Sequence, residues 1–226
     1  MAVSALLGVD GYRGGWVGAR LDADTITWCT ASIGGIDGLV AGCAVAAIDI
    51  PIGLTERGWR SCDLVAKELL GVGRSRVFMT PPRAVVELGL EAPNAVAQER
   101  SRELTGQGVS RQALALSARI LDVDRLLPDE RIIEVHPELS FAELAGSVLP
   151  SKKSAAGVGA RLQALRAWRS DVEGVLAACP DEVPVDDALD ALIALWTAQR
   201  HARGTARCVP DPAPRDARGV PMRMTI

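Results

Sequence analysis

The chain has 226 residues, 48% of them hydrophobic and 23% charged, with a formal net charge of −3. At roughly 100–200 residues per domain, this is one large domain or one with a substantial insertion, long enough to bury about 70% of its unfolded surface without a disulfide or metal staple. An aromatic content of 4% counts against a base-stacking single-strand binder, and the mild acidity excludes a generally basic nucleic-acid binder, leaving local patches for any polynucleotide contact.

The elements follow in chain order. Ala5–Asp10 is a short, nearly all-apolar run ending in a carboxylate, the pattern of a strand buried on both faces. Gly11-Tyr12-Arg13-Gly14-Gly15 is turn chemistry, Trp16–Leu21 returns as a strand, and Thr25–Ala31 follows after Asp22-Ala23-Asp24. These three strands predict an antiparallel meander. A short helix over Ile36–Cys43 precedes another buried strand, Ala44–Ile50, which also carries one carboxylate, Asp49, near its end.

Helical spacing then dominates a predicted insertion over residues 55–127, with helices at Ser61–Leu70, Ala95–Arg102 and Ser110–Leu127. Arg131–Pro137 reads as the last core strand. Helices are expected at Leu139–Ala145, Gly159–Ala178 and Asp186–Ala202, with an edge strand in Val220–Ile226. The layout is a mixed α/β domain spanning 1–226, its later strands parallel to the first through right-handed crossovers.

Five cysteines without a CxxC pair read as reduced thiols of a cytoplasmic protein. The opening MAVSALLGVDG shows no secretory-leader pattern, and no apolar run approaches the ~20 residues of a membrane span, so no membrane partner is expected. Oligomeric state is not legible.

Asp10 and Asp49 each sit alone near the end of an apolar strand, where desolvation of an unpaired charge costs several kcal/mol. Adjacent strands lie about 4.8 Å apart, so acids at matching strand ends converge within reach of one ion. Asp187 and Asp190 share one helix face at i, i+3, and Asp186 adjoins them. Asp186 and Asp187 also suit a plain helix start; Asp190 lies deeper, among apolar residues. Together Asp10, Asp49, Asp187 and Asp190 form an all-oxygen ligand set for Mg²⁺ or Mn²⁺.

These residues resemble the ribonuclease H-like superfamily, and Asp187–Asp190 is similar to the closing motif of its Holliday-junction resolvases. More closely, nearly the whole chain resembles domain-of-unknown-function family 429, described as predicted ribonuclease H-like nucleases. The matching segments are Gly8–Ala19, Ala47–Leu54, Arg60–Asp63, Glu134–Phe141, Lys152-Lys153 and Asp186–Ala191. The resemblance implies a five-stranded mixed sheet flanked by helices, with an insertion between strands four and five. It maps Asp10, Asp49, Asp187 and Asp190 onto metal-binding positions of a nuclease.

Glu134 is a further candidate catalytic acid, as ligand or orienter of attacking water, with His136 as an alternative base. Equally, both residues belong to an ordinary strand end. Arg13, beside Asp10, and Arg57, Arg60, Arg83, Lys152 and Lys153 are candidate contacts for DNA or RNA phosphates, or else scattered surface cations. The expectation is a metal-dependent phosphodiesterase or nuclease. The alternatives are a non-catalytic binding module on the same fold, or a phosphotransferase, since the glycine-rich hairpin resembles the phosphate loops of acetate/sugar kinases.

Overall fold

The computed structural model describes residues 5–226; residues 1–4, the start of the segment scanned for a leader, lie outside it. The strands are β1 (Ala5–Tyr12), β2 (Gly15–Asp22), β3 (Thr25–Ala31), β4 (Cys43–Ile48), β5 (Ile132–Glu134), β6 (Cys208–Val209) and β7 (Met224–Thr225). The helices are α1 (Ile36–Val40), α2 (Ser61–Leu70), α3 (Arg83–Val86), α4 (Asn94–Thr105), α5 (Arg111–Ala115), α6 (Ser117–Asp124), α7 (Pro137–Ala145), α8 (Ala155–Trp168), α9 (Val172–Ala177) and α10 (Val185–Ala202), with a 3₁₀ segment at Gly71–Arg76. No helix among the described residues is long and apolar enough to cross a membrane.

The described residues divide into two compact units, one of the chain up to residue 50, 130–207 and 225–226, the other of 51–129 and 208–224. The helical insertion expected over 55–127 lies in the second unit, which also takes in chain from beyond α10.

The first unit holds a five-stranded mixed sheet of order β3-β2-β1-β4-β5. The hairpins β1–β2 and β2–β3 are antiparallel, as the alternating runs and tight turns predict. β4 pairs parallel with β1, and β5 parallel with β4. This is the mixed α/β arrangement expected of the sequence, and it is consistent with a ribonuclease H-like fold.

Strand alternation and register decide which side chains share a face. On β1, Leu6, Gly8 and Asp10 alternate with Leu7 and Val9. Leu6 and Gly8 pair with Leu21 and Ala19 of β2 on one side, and with Val45 and Ala47 of β4 on the other. Across this face lies α10, whose Leu189, Leu192, Ile193 and Leu195 are fully buried against Val17, Ala19 and Leu21. Each buried aliphatic side chain contributes about 2 kcal/mol. Gly8 makes that approach possible: a Cβ there would stand 2.1 Å from the Leu195 nitrogen and 2.3 Å from the Ala191 oxygen. Any side chain there would push the helix away from the strand.

The boundaries expected from sequence shift where a local bond intervenes. Ser110 caps α5 by accepting the Ala113 N–H at 3.0 Å, but the predicted Ser110–Leu127 helix breaks at Leu116, whose N–H turns to the Ala113 carbonyl. The predicted Gly159–Ala178 helix begins earlier, because Ser154 caps α8. It stops at Trp168, where Arg169 leaves the helix (φ −140°, ψ 121°) and grips Asp171 and Asp24. α1 ends at Val40, before Gly42 at φ +71°, and the C-terminal strand shortens to Met224–Thr225.

In the second unit, Val85, Ala97, Leu104, Val109, Ala113 and Leu114 form an apolar core. Two ionic clusters accompany it. Arg60 is fully buried, gripping Asp63 at 2.6 Å and donating to the Ile52 and Gly53 carbonyls. Asp216 accepts N–H bonds from Leu54, Arg218 and Val220, fastening the returning chain.

Candidate metal centre

Asp10 shares the α10 side of β1 with Gly8. The last paired positions of β1 and β4 are Val9 and Ile48, and the Asp49 N–H continues the ladder to the Val9 carbonyl at 2.9 Å. One residue further on, Asp10 therefore stands opposite Asp49 on the same face. Asp190, one residue before Ala191 in the turn packed over Gly8, comes down from α10. Single carboxylate oxygens of Asp10, Asp49 and Asp190 lie within 4.8 Å of one another.

Asp10 and Asp190 are buried and Asp49 is half-buried. Asp10 Oδ1 accepts the Gly11 N–H at 2.7 Å. Asp190 is only 2% exposed, and its Oδ1 has no hydrogen-bond partner, whereas Oδ2 receives the Lys152 ammonium at 2.5 Å. An orphaned buried carboxylate oxygen is costly, and beside two further carboxylates it is a group that a cation would satisfy. The all-oxygen donor set fits Mg²⁺ or Mn²⁺.

The electrostatics follow from this crowding. Burial, then the charges of Asp49 and Asp190, pushes Asp10 well above the usual carboxylate range. Burial and the Asp190 charge raise Asp49 to about 8. Asp190 is raised by burial to about 6, held down by Lys152. For Lys152, burial works against the ammonium, but Asp190, Asp10 and Asp49 outweigh it and raise its pKa. The lysine remains charged.

The other candidates fall into distinct places. Asp187 is half-buried in the first turn of α10; its charge raises Asp10 and Asp49, but it stands outside the convergent trio. Asp186, in the same turn, lies 3.8 Å from the Lys152 ammonium. The helix start itself is Pro184, without a side-chain cap, so neither acid acts as the N-cap.

Glu134 pairs with Ile48 and so shares Ile48's face, opposite to that of Asp10 and Asp49. Its charge reaches Asp49, but strand alternation sets it apart from the convergent trio. His136 is the N-cap residue of α7, its carbonyl receiving the Leu139 and Ser140 N–H groups.

The basic candidates are not one surface. Arg13 is exposed at the tip of the β1–β2 hairpin, and Lys153 is exposed beside Lys152. Arg57 is exposed and donates to the Glu103 carbonyl. Arg60 is sequestered with Asp63, and Arg83 is held by Asp124, Asp216 and Glu87, so both serve the packing of their unit instead of facing phosphate. Lys152 belongs to the carboxylate cluster itself.

Sequence reasoning missed the support behind that lysine. Arg161, fully buried, grips Glu138 at 2.5 Å and donates to the Pro150 and Gly157 carbonyls, so a helix α8 side chain pins the loop that delivers Lys152. An arginine on a helix carries no local mark of such a role.

The fold and the site together define a mixed α/β protein with a cluster of three convergent carboxylates where β1, β4 and α10 meet. The chain belongs to the family described as protein of unknown function (DUF429), whose model matches residues 8–215. No curated protein and no solved structure matches it.

Proposed function

We propose that the protein is a metal-dependent phosphodiester hydrolase, a nuclease of DNA or RNA, working in the cytoplasm with Mg²⁺ or Mn²⁺. One observation carries this: three carboxylates from remote parts of the chain converge within 4.8 Å, and one keeps a buried oxygen without a partner. Structural ion pairs elsewhere among the described residues leave no such orphan on their acids, as Asp63 and Asp216 illustrate.

Asp10, Asp49 and Asp190 would hold the ion, with Asp187 adding negative charge from the first turn of α10. When bound, the divalent cation supplies Lewis acidity to a phosphate oxygen and acidity to water. The chain supplies the rest. The backbone ladder at Val9 and Asp49 fixes two acids against each other, and the Gly11 N–H orients the carboxyl of Asp10. Lys152 orients Asp190. Arg13, three residues beyond Asp10 on an exposed tip, would meet a phosphate of the substrate backbone.

The test is cleavage of a panel of structured DNAs and RNAs with Mg²⁺ or Mn²⁺. Asp10→Asn and Asp190→Asn are expected to reduce the rate at least about a hundredfold while retaining the fold. Wild-type rates in Asp10→Asn would refute the assignment.

A further inference from the structure

We propose that the centre takes a single divalent cation, and that Lys152 permanently occupies the position a second cation would fill. The inference rests on the metal-centre assignment above and goes beyond it in stoichiometry and in the role of the lysine.

The two oxygens of Asp190 are divided between two kinds of partner. Oδ2 is committed to the Lys152 ammonium at 2.5 Å, while Oδ1 is buried without a partner. In a two-ion centre the ions sit about 3.5–4 Å apart and a shared carboxylate serves both. Here one side of the shared carboxylate already has a positive charge that the chain brings with it. Ionised around a bound ion, the three convergent carboxylates would carry three negative charges; the lysine answers one, and the remaining two match one divalent ion.

The lysine is not a flexible surface side chain that has wandered in. Arg161 holds the Pro150 carbonyl at 2.8 Å and the Gly157 carbonyl at 3.1 Å. The Ser151 carbonyl receives the Ser154 N–H at 3.0 Å and its hydroxyl at 2.8 Å. Gly157 completes the clamp, since a Cβ there would stand 1.9 Å from the Ser151 oxygen. The turn preceding α8 is thus built around the residues on either side of Lys152, and the ammonium is delivered from a fixed backbone. Asp186, 3.8 Å from the same ammonium, adds a second attraction on the solvent side. Removing the lysine leaves Asp190 Oδ2 open and the cluster one charge more negative, which favours a second ion.

The experiment is a titration of the full chain with Mn²⁺ alone, with unbound Mn²⁺ read by electron paramagnetic resonance, so that no substrate or activity is assumed. Wild type and Lys152→Arg are expected to bind one ion per chain. Lys152→Met is expected to bind two, the first about tenfold tighter or more, because a repelling positive charge has gone. Lys153→Met, altered at the exposed neighbour, is expected to match wild type.

Two ions in wild type, or one ion at unchanged affinity in Lys152→Met, would overturn the inference and leave the metal centre standing. No Mn²⁺ binding by any of these chains would overturn the metal centre and the inference with it. Should Lys152→Met fail to fold by circular dichroism, the wild-type stoichiometry decides: two ions refute the proposal and one supports it.

Discussion

At the scale of single residues, Asp10 is held against its own chemistry. Burial and the neighbouring Asp49 and Asp190 charges make its ionised form unfavourable without a cation, and the Gly11 N–H and the Lys152 charge oppose them. Asparagine at position 10 keeps the shape and removes the charge. Asp10→Asn is therefore expected to weaken Mn²⁺ binding about a hundredfold or more, while the metal-free variant melts at or above the wild-type temperature at pH 8. Calorimetric titration and thermal melts check the two halves separately. A variant that lost binding and also melted much lower would show Asp10 to be a packing residue. Arg161 is the opposite case, a buried charge whose neutralisation is structural. Arg161→Met removes the buried guanidinium from Glu138 and is expected to cost about 3 kcal/mol of unfolding free energy in denaturant titrations.

At the scale of elements, the centre depends on how closely α10 approaches β1. Asp10 and Gly8 share a strand face, and Asp190 and Ala191 share the helix turn above it, so spacing between strand and helix sets the distance between the acids. The Gly8→Ala methyl would collide with backbone atoms of Ala191 and Leu195, which cannot rotate away as a side-chain tip would. The expected result is a loss of about 2–3 kcal/mol in stability, as for overpacking elsewhere, accompanied by weaker Mn²⁺ binding. Unchanged metal affinity in a well-folded Gly8→Ala would mean that the acids are not spaced by this contact. The turn before α8 obeys the same logic. Gly157→Ala pushes on the Ser151 carbonyl and is expected to loosen the Lys152–Asp190 pair, which ¹⁵N relaxation of the loop amides would register.

At the scale of the whole molecule, the acidic cluster ties stability to pH in an unusual direction. Asp49 at about 8 and Asp190 at about 6 lie above the ordinary value of 3.8, and Asp10 is raised too. The folded state therefore binds more protons than the unfolded chain between about pH 4 and pH 8. The stability these groups contribute is complete below the unfolded value and is lost as pH rises through the folded values. The metal-free protein is expected to melt progressively lower from pH 5 to pH 8, and Mn²⁺ to raise its melting temperature more at pH 8 than at pH 6, because the ion favours the ionised carboxylates. A flat profile, or metal stabilisation greatest at acid pH, would contradict a shared site for these aspartates.

Much of this was written in short stretches of chain. Apolar runs, turn glycines and helical spacing determined the meander, the two further core strands and α10. A lone acid near the end of two such strands marked Asp10 and Asp49, because alternation and rise are properties of a few neighbouring residues. What depends on strand register or on a distant loop was decided by tertiary structure alone. Register placed Glu134 with Ile48 on the far face, although sequence position made it look equivalent to the other acids. Helix packing turned Asp190 inward and left Asp187 half-buried, though i, i+3 spacing treats them alike. The clamp from Arg161 brought Lys152 into the cluster, and pairing with Asp63 and Asp124 took Arg60 and Arg83 out of the pool of phosphate-facing cations. A charged side chain has no preferred partner until the fold removes water from around it, and nothing in local sequence records which opposite charge will then be nearest.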